Sequence, residues 1–260
     1  TFNHWYIIFW SQLLRLGVLA AVFLIFSWEL RISWLSLTLA VLSSGIFLLG
    51  LRFTFHALKV GPVSLASPFI GSYAFPAVLL SLVFLGEQLQ YSQLVAVVLL
   101  IFGAILISVS SRTHLPQRNF WTQPVVRLAL IGAICIGTAV FFLAQLVHLA
   151  GWQTAIMLQT IVLIVGSGIG LWLTGVALLP ANRKPLNGAI IGLSAFGLMG
   201  ALMLSYGFSV SLVAIVAPVA STSPLITVGL SLYFFKERLS RYQLVGILVV
   251  VLALSLLAVR

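Results

Sequence analysis

Long apolar runs, separated by short polar breaks, follow one another along almost the whole of this sequence. Runs of about 20 apolar residues have the length that an α-helix needs to cross the hydrocarbon core of a bilayer. Membrane-spanning strands would instead give alternating segments of about ten residues, which this pattern does not resemble. The pattern therefore predicts nine membrane-spanning helices, over residues 6–26, 33–57, 63–85, 93–111, 128–149, 154–174, 188–210, 214–235 and 243–259.

The composition agrees with a lipid-facing surface. The chain is 62% hydrophobic and only 6% charged, whereas a soluble domain carries roughly 25% charged residues. We therefore expect an all-α, polytopic membrane bundle, with the lipid bilayer as a partner. The net charge of +10 does not indicate a nucleic-acid partner, because the basic residues form no dense stripe. No Cys/His cluster has metal-ligand spacing, so we expect neither a metal nor another cofactor.

The chain contains an internal repeat. Residues 61–110 align with 211–260 without a gap, at an offset of 150 positions. Two of the chain's three acidic residues align with each other, which biased composition alone does not explain. The matched polar pairs are Pro68 with Pro218, Ser81 with Ser231, Glu87 with Glu237, and Gln93 with Gln243.

The repeat predicts two halves of opposite orientation. Five predicted spans separate Glu87 from Glu237, and an odd number of crossings places the two glutamates on opposite sides of the membrane. We therefore predict an inverted-topology repeat, with a first repeat at 1–111, a linker at 112–127 and a second repeat at 128–260. The first half holds one span fewer, so we expect a helix before Thr1 that this sequence lacks.

These residues are similar to a known family. The chain resembles the EamA domain of the drug/metabolite transporter superfamily in Pro68 and in the repeated junction Gly86-Glu87-x-Leu89-x-x-x-Gln93-Leu94. Arg15 resembles an arginine often found in the second helix of that domain. The resemblance implies a ten-helix exporter or facilitator of metabolites in the inner membrane, with the substrate held between helix bundles.

The functional prediction is a secondary transporter of small metabolites such as amino acids, working by alternating access in a bacterial inner (plasma) membrane. A homodimer is possible. The alternatives are a nucleotide-sugar or sugar-phosphate translocator, and a membrane scaffold that transports nothing. We do not expect an enzyme, because the spans show no nucleophile with a partner base.

The candidate substrate site centres on Arg15. A charge inside a bilayer is costly and usually faces a cavity or a partner, so Arg15 is a candidate contact for an anionic group. The alternative is a structural arginine that donates to helix-end carbonyls. We expect Arg15, Trp10, Tyr73 and Ser221 to border one polar cavity near the midplane, since proline-interrupted spans in both halves point to such a site. Further candidates for its lining are Gln12, Ser72, Tyr206, Thr222 and Ser223. For the proline-interrupted spans the alternative is helix packing.

Two further predictions concern the membrane faces. Glu87 and Glu237 each precede a helix, where a carboxylate can cap free N–H groups; a gating role is the alternative. Basic residues lie mostly on the side of Lys59, nine against two. The positive-inside rule therefore places Lys59, Arg183 and Arg241 in the cytoplasm.

Overall fold

The computed structural model describes residues 4–61, 63–108, 123–175, 184–222 and 241–258. All regular secondary structure in these ranges is helical. The described residues form ten α-helices: α1 His4–Phe26, α2 Trp34–Val60, α3 Val63–Gly71, α4 Ala74–Phe84, α5 Tyr91–Ser108, α6 Pro124–Ala150, α7 Trp152–Leu173, α8 Lys184–Val210, α9 Val213–Ala220 and α10 Arg241–Ala258.

Five helical segments are long and apolar enough to cross a bilayer, judged by length and composition: Trp5–Phe26, Trp34–Val60, Pro124–Ala150, Trp152–Thr174 and Ile190–Val210. Shorter apolar helices occupy Phe69–Phe84, Tyr91–Ile107 and Arg241–Leu257. The prediction of a polytopic helical membrane bundle is confirmed.

The predicted span 63–85 is divided into α3 and α4. Pro76 has no N–H to donate to the Ser72 carbonyl four residues before it. The Phe75 amide donates to that carbonyl instead, at 3.0 Å, and the Ser72 amide donates to the Phe69 carbonyl at 3.1 Å. Tyr73 keeps right-handed helical angles of φ −56° and ψ −22°. The chain thus tightens for one turn of i→i+3 bonds before α4 begins.

The described residues form two compact units that do not coincide with the sequence repeats. Unit 1 combines Thr1–Leu48 with Phe142–Val210, and unit 2 combines Leu49–Phe141 with Ser211–Arg260, each as far as its residues are described. The chain passes from one unit to the other within α2 and again within α6. The repeat division at residues 112–127 is a different division of the chain and stays a prediction.

Unit 1 packs α1 against α7 and α8. Near the start of α1, the Trp5 ring lies so close to Gly170 that an added Cβ there would stand 2.6 Å from it. Near the end of α1, Leu19 packs with Ile156 and Leu198, and all three are less than 9% exposed. Since the start of α1 meets the end of α7 and its end meets the start of α7, these two helices run antiparallel.

Unit 2 packs α5 against α10, which are equivalent helices of the predicted repeat. Their bounds, Tyr91–Ser108 and Arg241–Ala258, differ by the repeat offset at both ends. A Cβ added to Gly246 would stand 2.9 Å from the Gly103 carbonyl oxygen and 2.8 Å from the Ile107 amide nitrogen. Small residues allow this close approach of helix backbones. Gly103 also lies against Val250, so the contacts run in opposite directions along the two helices, as an inverted repeat requires.

Candidate functional site

Arg15 lies within unit 1, where its guanidinium rests against α8. Nη2 donates to the backbone carbonyl of Leu193 at 3.2 Å. The guanidinium also lies directly over Gly197, where an added Cβ would collide with it. The absence of a side chain at Gly197 therefore leaves room for the end of the Arg15 side chain against α8.

The hydrogen bonding of Arg15 is incomplete. Its Nε is buried and has no hydrogen-bond partner in the described part of the chain. The acidic residues that the structure describes lie elsewhere: Glu29 follows the end of α1, and Glu87 is bonded to the start of α9. A half-buried guanidinium thus keeps donors that the described residues do not use.

The other two candidates on α1 differ in their surroundings. The Trp10 ring packs against the rings of Tyr6 and Phe9, with centroids 6.2 and 5.8 Å away. Gln12 is only 5% exposed and lies three residues before Arg15, on the same side of the helix. Gln12 therefore shares a helix face with Arg15, whereas Trp10 belongs to an aromatic cluster at the start of α1.

Tyr206 lies away from Arg15 along α8. It is nine positions beyond Gly197, or roughly 13 Å at the rise of an α-helix. Its ring packs edge-on against Trp152, 5.9 Å between centroids, and Trp152 in turn meets Trp28 at 5.0 Å. Tyr206 thus belongs to an aromatic cluster near the end of α1.

The ends of α3 and α9 have the same local structure at the repeat offset. The Ser72 hydroxyl donates to the Phe69 carbonyl, and the Thr222 hydroxyl donates to the Val219 carbonyl, both at 2.6 Å. The matching backbone amides donate to the same carbonyls at 3.1 Å in both places. Because each hydroxyl hydrogen is engaged in this way, the oxygens keep only acceptor sites.

Ser221 makes the same kind of bond. Its hydroxyl donates to the Pro218 carbonyl at 2.7 Å, and the residue is 1% exposed. The end of α9 thus carries two adjacent hydroxyl groups whose hydrogens are engaged within the helix.

The start of α9 is held by α4 and by the segment that follows it. Val78 of α4 packs with Ala214 near the start of α9. Glu87, which follows the end of α4, also bonds to the start of α9. Ser221 and Thr222 follow the other end of α9.

Glu87 caps a different helix from the one that follows it. Its two carboxylate oxygens accept the amide hydrogens of Val213 and Ala214 at 2.8 and 2.9 Å. The sequence placed Glu87 before α5, but its partners begin α9, 126 and 127 positions further along the chain. The sequence analysis also did not predict that Leu193 and Gly197 contact Arg15. Of the two, only Gly197 has a residue type that can indicate close packing.

Three of the predicted residues lie outside the described residues: Ser223, Glu237 and Arg183. Among the residues that are described, no three His, Cys, Asp or Glu side chains are grouped so that they could hold a metal ion.

The fold and composition define a multi-pass α-helical membrane protein. The EamA-like transporter family matches residues 123–259, just over half of the chain. The chain therefore belongs to the EamA-like transporter family, and the family resemblance predicted from the sequence is confirmed.

Two individual comparisons add to this. An uncharacterised protein of Methanocaldococcus jannaschii is 36% identical over 78 residues, which is 30% of this chain and 56% of that relative. The match thus spans little more than half of the relative's length. A solved crystal structure aligns with this chain at a TM-score of 0.81 and 14% sequence identity. The alignment covers 100% of this chain and 90% of the chain in that structure. At that identity the likeness shows the fold alone.

Proposed function

We propose that this protein is a secondary transporter of small metabolites that carry a carboxylate, with amino acids as the first class to test. It works by alternating access in a bacterial inner (plasma) membrane. The family supplies the transporter class. The observation that carries the substrate class is the incompletely bonded guanidinium of Arg15.

The chemistry of Arg15 favours an anionic group on the solute. A guanidinium presents five N–H donors in a planar fork that fits a carboxylate or a phosphate with two parallel bonds. One donor reaches the Leu193 carbonyl. A solute anion would satisfy the donors that remain and would offset the cost of holding a charge in apolar surroundings.

The hydroxyl groups of unit 2 supply acceptors. Ser72 and Thr222 donate their own hydrogens to carbonyls of the preceding helix, so their oxygens can accept from a donor. Ammonium groups and sugar hydroxyls both donate. These acceptors therefore fit either class of solute and do not choose between an amino acid and a sugar phosphate.

A flux assay in proteoliposomes tests the proposal. The panel contains zwitterionic amino acids, dicarboxylates and sugar phosphates, each offered to wild-type protein and to Arg15→Ala. We expect saturable flux of a carboxylated solute that Arg15→Ala removes. Flux of sugar phosphates alone would support the translocator alternative, and flux of no anion would reject the role of Arg15.

A further inference from the structure

Glu87 links the connection between α4 and α5 to the start of α9. Both carboxylate oxygens accept backbone amides, those of Val213 and Ala214. The residue at the N-cap of α9 is Leu212, which makes no side-chain cap. Val213 and Ala214 are both 0% exposed. Glu87 thus supplies from a distant segment the acceptors that α9 lacks locally.

The helix that follows Glu87 has its own cap. The Gln93 side-chain oxygen accepts the Gln90 amide at 3.0 Å, and the Gln90 carbonyl accepts the Leu94 amide at 2.9 Å. The bond from the Gln90 amide to the Gln93 side chain is one of the two bonds of a capping box, the one in which the side chain of the third helical residue accepts the N-cap amide. Because α5 begins with this cap, the carboxylate of Glu87 is available for α9.

The helix that Glu87 holds has few bonds of its own. α9 is eight residues long and contains Pro218, which cannot donate to the Ala214 carbonyl. A short helix with an interior proline depends on outside contacts for its position. Ser221 and Thr222 follow directly at its other end.

We propose that Glu87 is a positioning residue for the candidate site: its carboxylate fixes the start of α9, and α9 thereby sets the position of Ser221 and Thr222. The role of these two hydroxyls rests on the proposed function. The anchoring of α9 by Glu87 does not, so the two parts fail separately.

Hydrogen exchange on the full-length protein in lipid nanodiscs tests the anchor. Glu87→Gln keeps the size of the side chain but replaces one acceptor with a donor, and Glu87→Asp keeps the charge on a shorter side chain. We expect the amides of Val213 and Ala214 to exchange about tenfold faster in Glu87→Gln, as loss of a charge-assisted hydrogen bond implies, and less so in Glu87→Asp. Unchanged exchange in Glu87→Gln would overturn the proposal.

Thiol labelling tests the effect at the far end of α9. In a Cys135→Ala background, a cysteine replaces Thr222 and its rate of reaction with N-ethylmaleimide is measured. Glu87→Gln should change that rate at least fivefold, while Gln93→Ala, the matched control on the same connection, should leave it unchanged. Equal rates with and without the Glu87→Gln substitution would overturn the positioning role, whether or not the protein moves any tested solute.

Flux kinetics separate positioning from simple stabilisation. Glu87→Gln should raise KM about tenfold, lower Vmax per folded protein much less, and be partly rescued by Glu87→Asp. Gln93→Ala should leave KM unchanged. A KM that is unaffected by Glu87→Gln despite faster exchange would reduce Glu87 to a stabilising cap and reject the proposal. Absence of any wild-type flux would reject the proposed function instead.

Discussion

Arg15 in unit 1 and Glu87 in unit 2 are both charged groups set among apolar helices, but their bonding differs. Glu87 accepts two backbone amides, at 2.8 and 2.9 Å. Arg15 donates to one carbonyl at 3.2 Å, and its buried Nε has no partner among the described residues. The two charges thus differ in how many of their hydrogen bonds the described residues satisfy, and under the proposed function this difference separates a structural charge from one that binds a solute.

The difference follows from what each group meets. A carboxylate only accepts, and the start of a helix only donates, so Glu87 and α9 complement each other. A guanidinium only donates, whereas a carbonyl inside a helix already accepts the amide four residues further on. The contact of Arg15 with α8 therefore leaves much of its hydrogen-bonding capacity for another partner.

The largest expected effect is on transport by Arg15→Ala. We expect flux to fall about 100-fold, since a hydrogen bond between charged groups contributes roughly 1.5–3 kcal/mol and each 1.4 kcal/mol is about a factor of ten. Arg15→Lys should retain only part of the wild-type flux, because an ammonium group lacks the planar fork of donors of a guanidinium. The measurement is initial flux per folded protein. Full activity in Arg15→Ala would remove the distinction between the two charges.

The second largest effect is expected on the stability of the Glu87→Ala variant. Loss of the carboxylate leaves two buried amides without their acceptor, so the free energy of unfolding should fall by about 2–3 kcal/mol. Thermal unfolding in detergent measures the change. Glu29→Ala removes an exposed glutamate and serves as the control, with an expected change within about 0.5 kcal/mol. Equal effects of the two substitutions would show that the bonds to α9 contribute nothing.

A smaller effect is expected for Gly197→Ala. The added methyl group collides with the end of the Arg15 side chain, which is flexible, so the guanidinium should move while the fold stays intact. We expect flux to fall about tenfold, or roughly 1.4 kcal/mol. Gly200→Ala is the matched control, because a Cβ there meets nothing within 4 Å. Similar flux in both variants would indicate that the position of Arg15 on α8 does not matter.

The smallest effect is expected for Gln93→Ala, which removes the cap of α5. The free energy of unfolding should fall by about 0.5–1 kcal/mol, the usual contribution of a helix cap. Unfolding of this variant, compared with Glu87→Ala, measures how much more the distant cap contributes than the local one. A larger loss in Gln93→Ala would reverse that order.

The sequence predicted the helices and the family but not the long-range partners. Apolar runs located the helices, and the match of Glu87 with Glu237 revealed the offset that α5 and α10 follow at both ends. Proximity along the chain assigned Glu87 to α5, because nothing in the sequence indicates a partner at Val213. The sequence could not indicate that the Leu193 carbonyl accepts from Arg15 either, since every residue has a backbone carbonyl. The shared cavity of Arg15, Trp10, Tyr73 and Ser221 stays a prediction.

The interleaving of the two units has a consequence for how the chain is made. The first part of unit 1 leaves the ribosome long before Phe142–Val210, which completes it, and unit 2 also needs Ser211–Arg260. The early helices must therefore enter the bilayer before the helices that complete their unit have been synthesised. A chain cut within residues 112–122 would give two fragments that each hold parts of both units, and neither unit would form until the fragments associated.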